Sequence, residues 1–428
     1  MVSLENTLHL NTGNDWQKQV HLLWVCQLVA IAALEMSGPF WPVYLRQLGV
    51  SSDASLQFWS ALIYMVPLIG AMLTAPLWGR LGDRIGHKYM ILRALFALGL
   101  TQILITFSND PLVIVIVRFV QGVFAGSIAA TQAYALNASP DHKRSYVMGR
   151  LQSAVAAGSL CGPLIGGWVI DQWSMNHVFT TGAFACLFML MVMIFRLPDQ
   201  QPSSQRVLQR SHQDPSHDSS FDSSHSKSAQ KLKKANAVDI NDRFRINLYL
   251  LLLVILVAQI AKRMPSTFFA LYAEQYLSAS ALLVGGLYAA TGLSVLLAAP
   301  YWGKFFDGIS LSQRIRWLTG ISMAAALTLL LQAWVVEVWL CFILRLLWGV
   351  WLAALLPMLF AVLSVQAEQQ HLGQTIGVGN SATKLGGLLG ISIGALAAAA
   401  LGNQYAFIAI AVTYLALAGM LLFANKAP

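Results

Sequence analysis

Charge is what this sequence lacks most. Asp, Glu, Lys and Arg make up 11% of its 428 residues, where a soluble domain carries about 25%. An ordinary water-soluble domain is thereby excluded. Cysteine is scarce as well: Cys26, Cys161, Cys186 and Cys341 all lie inside apolar runs and show no metal-ligand spacing. Neither a disulfide framework nor a metal site is expected, and the four read as small packing residues. There is no G-x-x-x-x-G-K-[ST] phosphate loop, so direct ATP coupling has no support and no cofactor is expected. The first 19 residues include Glu5, Asp15 and Lys18 and do not read as a cleavable signal peptide. The first span itself is expected to direct insertion.

What is present is apolar. Hydrophobic residues make up 57% of the chain and the mean hydropathy is +0.62. Runs of 18 or more apolar residues recur throughout, each long enough to cross about 30 Å of hydrocarbon. The expected fold class is an all-α polytopic membrane protein of twelve transmembrane helices. Six spans fall near 20–45, 56–78, 89–107, 111–135, 146–170 and 177–197. Six more fall near 246–273, 281–302, 314–332, 335–363, 373–400 and 404–424.

The net charge of +9 is placed as a topology signal and not as a nucleic-acid surface. Alternate connections are basic: Arg80, Arg84, Lys88 and Arg93; Lys143, Arg144 and Arg150; the central loop; Lys304, Arg314 and Arg316. The intervening ones hold Asp53, Asp110, Asp171, Glu274 and Glu337, with Arg46 the one nearby base. By the positive-inside rule both termini and the central loop are cytoplasmic. A bacterial inner membrane is the expected location.

Residues 198–245 break the apolar pattern. Rich in Ser, Gln, His and Lys, they cannot bury a core and read as a disordered cytoplasmic linker. His212, His217 and His225 could bind metal, or be simply part of a solvated low-complexity segment. The domains are therefore 1–197, a six-helix bundle; 198–245, the linker; and 246–428, a second bundle. The bundles repeat in detail. "APLWGRLGD" (75–83) recurs as "APYWGKFFD" (299–307), and Tyr64 matches Tyr288 at the same displacement of 224 residues. "RFVQG" (118–122) recurs as "RLLWG" (345–349). At 228 residues, Gly158, Gly162 and Gly166 match Gly386, Gly390 and Gly394, while "EM" (35–36) falls on "RM" (263–264). The chain is a duplicated six-span unit.

Three motifs carry a family resemblance. "GRLGDRIGHK" (79–88) resembles the loop motif G-x-x-x-D-R-x-G-R-K of the major facilitator superfamily, with Gly79, Asp83, Arg84, Gly86 and Lys88 in register and His87 where arginine is usual. "RFVQGVFAG" (118–126) resembles the family's Arg-x-x-Gln-Gly motif. "GSLCGPLIGG" (158–167), with Gly158, Gly162, Pro163, Gly166 and Gly167, resembles the G-x-x-x-G-P-x-x-G-G motif of its twelve-span drug/proton antiporter branch. The resemblance implies a secondary transporter whose two bundles rock about a central cavity. It also implies that Asp83 meets the N-terminus of span 11, where the helix dipole favours a carboxylate. Span 5 would pack on span 8, with the glycine stripe as a close sliding contact and Pro163 as a kink.

Charges inside a membrane are costly and functional by default. Glu35 lies about 15 residues into span 1, near mid-bilayer at about 1.5 Å per residue. It is the first candidate for proton coupling, with Asp83 and Arg118 as the others; a purely structural Glu35–Arg263 bridge is the alternative. Gln259, Lys262 or Arg263, and Ser266 on span 7 make one polar face at helical spacing, and Asn380, Ser381 and Lys384 on span 11 do the same. With Glu35, Tyr64 and Tyr288 they describe a cavity of three cations and one acid, suited to an anionic or zwitterionic substrate. Lys384 could instead meet lipid phosphate or backbone. Arg118 is placed in the cytoplasmic-to-central part of span 4, and its counterpart Arg345 could be interhelical glue. Phe40, Trp41, Trp59 and Trp348 could stack on an amphipathic substrate or serve as anchors. "GISIG" (390–394) fits a hydrolase G-x-S-x-G but lies in a lipid-length helix without His or acid nearby; an enzyme is not expected.

The leading expectation is proton-driven export of an organic small molecule, a drug-like amphiphile by resemblance. The cationic cavity favours an anionic metabolite such as a carboxylate siderophore as the alternative. An importer, or a transporter-like receptor, is the weaker reading. The expected partners are a small-molecule substrate, protons and the lipid bilayer, without nucleic acid, for a protein acting as a monomer.

Overall fold

The computed structural model describes residues 2–140, 143–199, 248–366 and 372–426. Most of the expected linker, with His212, His217 and His225, lies outside the described residues, as does the side chain of Asp307. The described residues are helical, with no strand among them. Spans 1 to 10 are Trp16–Gln47, Asp53–Ile85, His87–Thr106, Pro111–Ala138, Tyr146–Gln172, Met175–Arg196, Leu248–Thr267, Ala281–Phe306, Leu311–Gln332 and Val338–Leu363. Spans 11 and 12 share Gly377–Ala424 and separate at Gly402, whose φ of 80° and ψ of 160° no helix tolerates. Twelve crossings result.

The two halves pack alike. Span 1 lies on span 5, span 2 on span 4 and span 3 on span 6; span 8 lies on span 10, and the 372–426 helices lie on spans 7 and 9. Side chains repeat the equivalence. Trp78 Nε1 donates to Val123 O at 2.6 Å, and its counterpart Trp302 Nε1 donates to Val350 O at 2.9 Å. Gly122 presses on the Pro67 backbone, and Gly349 on Thr291, where a Cβ would stand 2.5 Å from the Thr291 carbonyl oxygen.

Three spans are broken, each where proline or glycine removes the helical option. Span 1 ends its long helix at Met36, makes a 3₁₀ turn over Gly38–Phe40 with Pro39, and resumes as Trp41–Gln47. Span 7 does the same: helix to Arg263, 3₁₀ turn Met264–Thr267 with Pro265, then Phe269–Leu277. Span 4 stops at Val123 and restarts at Ser127 through Gly126, which has φ 119°. The carbonyls freed there are met by Arg93, whose Nη2 donates to Ala125 O at 3.0 Å while its guanidinium lies 3.5 Å over Trp78. Arg93 thus holds a broken helix together inside the bundle and is not a loop charge.

The halves meet at one end only of their length. Call the end bearing Asp53, Asp110, Asp171 and Glu274 the acidic end, and the opposite one, bearing Arg80, Arg84 and Lys143, the basic end. One apolar core runs across both halves, and its first-half members, from Met36 to Ile63, from Ile105 to Val117 and from Val169 to Phe179, lie toward the acidic end. The first half's basic end has a separate core around Leu23, Ile91, Tyr134 and Leu151. The molecule is a wedge, closed at the acidic end and open at the basic one.

Candidate functional site

Glycine brings the two central charges into place. On span 5, Cβ atoms at Gly158 and Gly162 would stand 2.9 Å from Leu28 O and 2.8 Å from Ala32 O of span 1, and Gly166 presses on Met36. On span 11, Gly386 and Gly390 press likewise on Leu256 O and Ile260 O of span 7, at 2.6 and 2.5 Å, and Gly394 on Met264. Only a glycine allows backbones this close. The stripe of span 5 therefore faces span 1 of its own half, which corrects the expectation that it forms the contact with span 8. That contact belongs to the other face: Gly167 presses on Ala281, and Gly285 of span 8 on the Pro163 carbonyl.

The residues so supported are the repeat mates Glu35 and Arg263. A Cβ at Gly162 would stand 2.8 Å from the Glu35 Cβ, and one at Gly390 would stand 3.0 Å from that of Arg263. Each charge sits in the last turn before its span breaks. Broken membrane helices place charged and backbone groups at a midplane site in this way.

Around Glu35 the structure gathers Arg263, Arg118 and Tyr64, all within electrostatic range. Tyr64 Oη donates to Gly38 O at 2.6 Å, using a carbonyl released by the break. Arg118 is 8% exposed, donates from Nη1 to Gln121 Oε1 and from Nε to Ile63 O at 3.4 Å, and lies 5.1 Å over Trp41. Gln121 Nε2 passes the chain on to Thr101 Oγ1 at 3.2 Å. Span 4 enters at Pro111 from the acidic end, so Arg118 lies about 11 Å from that end. The cytoplasmic-to-central placement is corrected: the direction of span 4 puts Arg118 on the closed side of centre.

Lys262 and Arg263 are exposed along span 7, and Asn380, Ser381 and Lys384 along span 11. Lys262 and Arg263 stand well inside span 7, which begins at Leu248, and charged groups at that depth face water and not lipid. Lys384 is two turns from Ser392 on the same helix face, and Ser392 Oγ lies 3.2 Å from Met65 Sδ of the opposite half. The helix thus touches the first half at Ser392, while Lys384, nearer the basic end, is exposed. Gln259 is buried with Oε1 unpartnered. Tyr64 and Tyr288 are half-buried, while Phe40, Trp41 and Trp348 are core residues and do not line the gap.

The loop motif is at the open end. Asp83 is exposed, and its Oδ1 lies 3.8 Å from Nε2 of His87, the residue that departs from the motif. Lys88 pairs with Asp199 at 3.0 Å, tying the loop to the end of span 6. Gly86, at φ 101°, ends span 2, and Gly82 packs against the His87 ring. Gly79 and Arg84 are exposed.

A set of residues that sequence reasoning missed closes the acidic end. Asp171 accepts from Ala281 N and Leu282 N, both at 2.9 Å, while Ser280 Oγ accepts from Leu283 N. The two halves jointly cap span 8. Gln57 Nε2 donates to Asn403 Oδ1 at 3.0 Å, whose Nδ2 donates to Gln275, and Arg46 pairs with Glu274 at 3.5 Å. The available signal was Gln57, a polar residue inside an apolar run, and a carboxylate four residues past Gly167.

Comparison with known proteins agrees with this architecture. The family model described as Major Facilitator Superfamily matches residues 23–307 and 251–428. The chain is 42% identical over 152 residues to the staphyloferrin B transporter of Staphylococcus aureus, a match covering 36% of each protein. It is 26% identical over 405 residues to the multidrug resistance protein MdtG of Enterobacter lignolyticus, covering 94% of this chain and 90% of that one. Among solved structures, a bacterial homologue of the human lysosomal transporter Spinster superposes with a TM-score of 0.73 at 12% identity, over 96% of this chain and 97% of that one. A D-xylose–proton symporter gives 0.70 at 14% identity, over 95% and 96%. With the family model matching nearly end to end, the chain belongs to the major facilitator superfamily of membrane transporters, resembling its twelve-span drug/proton antiporter branch, and is not an enzyme.

Proposed function

We propose that this protein exports an anionic organic metabolite, rich in carboxylates in the manner of a siderophore, from the cytoplasm in exchange for protons. One observation carries the reading: Lys262, Arg263 and Lys384 are exposed on spans 7 and 11, and Glu35 of span 1, the one acid among the central charges, lies within electrostatic range of Arg263 and Arg118. A gap with that balance attracts carboxylates and repels organic cations, since like charges in a low-dielectric cleft are costly to bring together. The similarity to a staphyloferrin B transporter supports the same cargo class. The basic connections and both termini lie on the cytoplasmic side, so the wedge opens inward.

Alternating access then runs as follows. Cargo enters from the cytoplasm and neutralises the cations. The bundles rock about the span 5–span 8 contact, breaking the Asp171, Gln57 and Arg46 bonds and closing the basic end, where Asp83 meets span 11. Glu35 takes a proton from outside in place of the departing cargo, and its release inside resets the cycle. Asp83 and Arg118 are the further proton-coupling groups, Arg118 by holding the Gln121–Thr101 chain. The protein works as a monomer in the bacterial inner membrane.

A drug-like amphiphile is the second reading, favoured by the similarity to multidrug proteins along nearly the whole chain and by Tyr64 and Tyr288 at the gap. Inside-out membrane vesicles separate the two. With the interior acidified, uptake of tricarboxylates against little uptake of lipophilic cations supports the anionic reading; the reverse ranking overturns it.

A further inference from the structure

The duplicated site is satisfied in one half and open in the other. In the first half Arg118 donates to Gln121 and to Ile63 O, and Tyr64 donates to Gly38 O. Their counterparts are Arg345 and Tyr288. Arg345 is 2% exposed, and its Nε and Nη2 are buried without a hydrogen-bond partner. The Tyr288 hydroxyl is buried and unpartnered too. The sequence gives the reason: Trp348 occupies the place of Gln121, three residues after the arginine, so the acceptor has been replaced by an indole. The indole N–H is turned away, to Tyr414 Oη at 3.3 Å.

Aromatic rings surround the guanidinium instead. It lies 3.2 Å over Phe269, the repeat mate of Trp41, 5.0 Å over Trp348 and 5.7 Å over Tyr288. The groups acting on it electrostatically are Cys341, Tyr288 and Tyr272, with no carboxylate among them. Cation–π contacts compensate a buried cation in part, but they leave its N–H donors unmet, and an unpaired charge away from water is costly. Tyr288 is half-buried, 5.7 Å from the guanidinium and within electrostatic range of both Arg345 and Glu35, so it links the guanidinium to the central acid.

We propose that Arg345 and Tyr288 form an anion-binding subsite in the second half, accepting a carboxylate of the cargo or a free small anion between the guanidinium and the phenol. The cargo source rests on the anionic-metabolite reading above; the subsite itself does not.

The test is isothermal titration calorimetry of the full-length protein in detergent, with citrate and with chloride as probes. Arg345→Met removes the charge at similar volume, Tyr288→Phe removes one hydroxyl, and Trp348→Gln restores the acceptor of the first half. Citrate is expected to bind at least tenfold more weakly in Arg345→Met and several-fold more weakly in Tyr288→Phe and Trp348→Gln. Should Trp348→Gln not give a monodisperse protein, Tyr288→Phe carries the result. Chloride binding lost in Arg345→Met with citrate binding kept supports the subsite and assigns it to a free anion. Chloride bound through Arg345 by a protein that does not bind citrate keeps the subsite and overturns the anionic-cargo reading. Affinities unchanged within twofold in Arg345→Met and Tyr288→Phe, or neither probe bound by the unmodified protein, overturn the subsite and leave Arg345 a structural cation.

Discussion

Replacing Asp171 by alanine should open the acidic end. Its carboxylate accepts two backbone N–H groups of span 8 at 2.9 Å, and Ser280 meets a third, so the first turn of span 8 is capped by both halves together. The bonds from Asp171 exist only while the halves touch there. Asp171 is exposed, which holds its worth to that of a helix cap with a favourable dipole, about 1–2 kcal/mol. Losing it should shift the balance between the two access states toward opening at the acidic end by about 5- to 30-fold. Asp171→Asn, keeping one acceptor oxygen, should fall between. Spin labels at Ser51 and Tyr405, both exposed at that end, report the separation by pulsed electron resonance once the four cysteines are replaced. A longer-distance population that grows from unmodified protein to Asn to Ala is expected. An unchanged distance distribution in Asp171→Ala would refute the assignment of Asp171 as a latch between halves.

The other expectations concern the charges and the glycines. Glu35→Gln should abolish proton-linked transport while the protein still reaches the membrane; undiminished pH-driven turnover in vesicles counts against its role. Neutralising Lys262, Arg263 or Lys384 should weaken anionic cargo by about tenfold, near 1.4 kcal/mol, and leave cations little affected; equal losses would mark these bases as structural. Gly162→Ala and Gly390→Ala place a Cβ 2.8 and 2.5 Å from a backbone oxygen and should each cost about 1–3 kcal/mol through overpacking, read as a lower thermal midpoint. Gly303→Ala, inside the helix of span 8 with nothing within 4 Å, should leave the midpoint unchanged or raise it, by up to about 1 kcal/mol of helix preference.

Crossing number and duplication were legible in the sequence because the membrane imposes length and apolarity span by span. The repeat offsets led to equivalences that the packing reproduces, such as Trp78 with Trp302. The central charges were legible for the same reason: an ionisable group in an apolar run stands out. Partners were harder to read. Glycines spaced by four announce a close contact without saying with which helix, and those of span 5 face span 1. Arg93 looked like a loop charge because its partners, carbonyls freed at Val123–Gly126, have no signature beyond one glycine. Arg118 stands on the closed side of centre because span 4 enters at Pro111 from the acidic end, a direction that the motif itself does not carry. Asp171 looked like an ordinary outer charge, since a bond between halves joins residues 110 positions apart.

Mass spectrometry of the medium around cells overexpressing the protein, set against cells carrying the Glu35→Gln variant, tests the central claim most directly. Proton-driven export of an anionic metabolite predicts a polycarboxylate that accumulates outside only with the unmodified protein. Identical media, or enrichment of a cationic amphiphile instead, would contradict it.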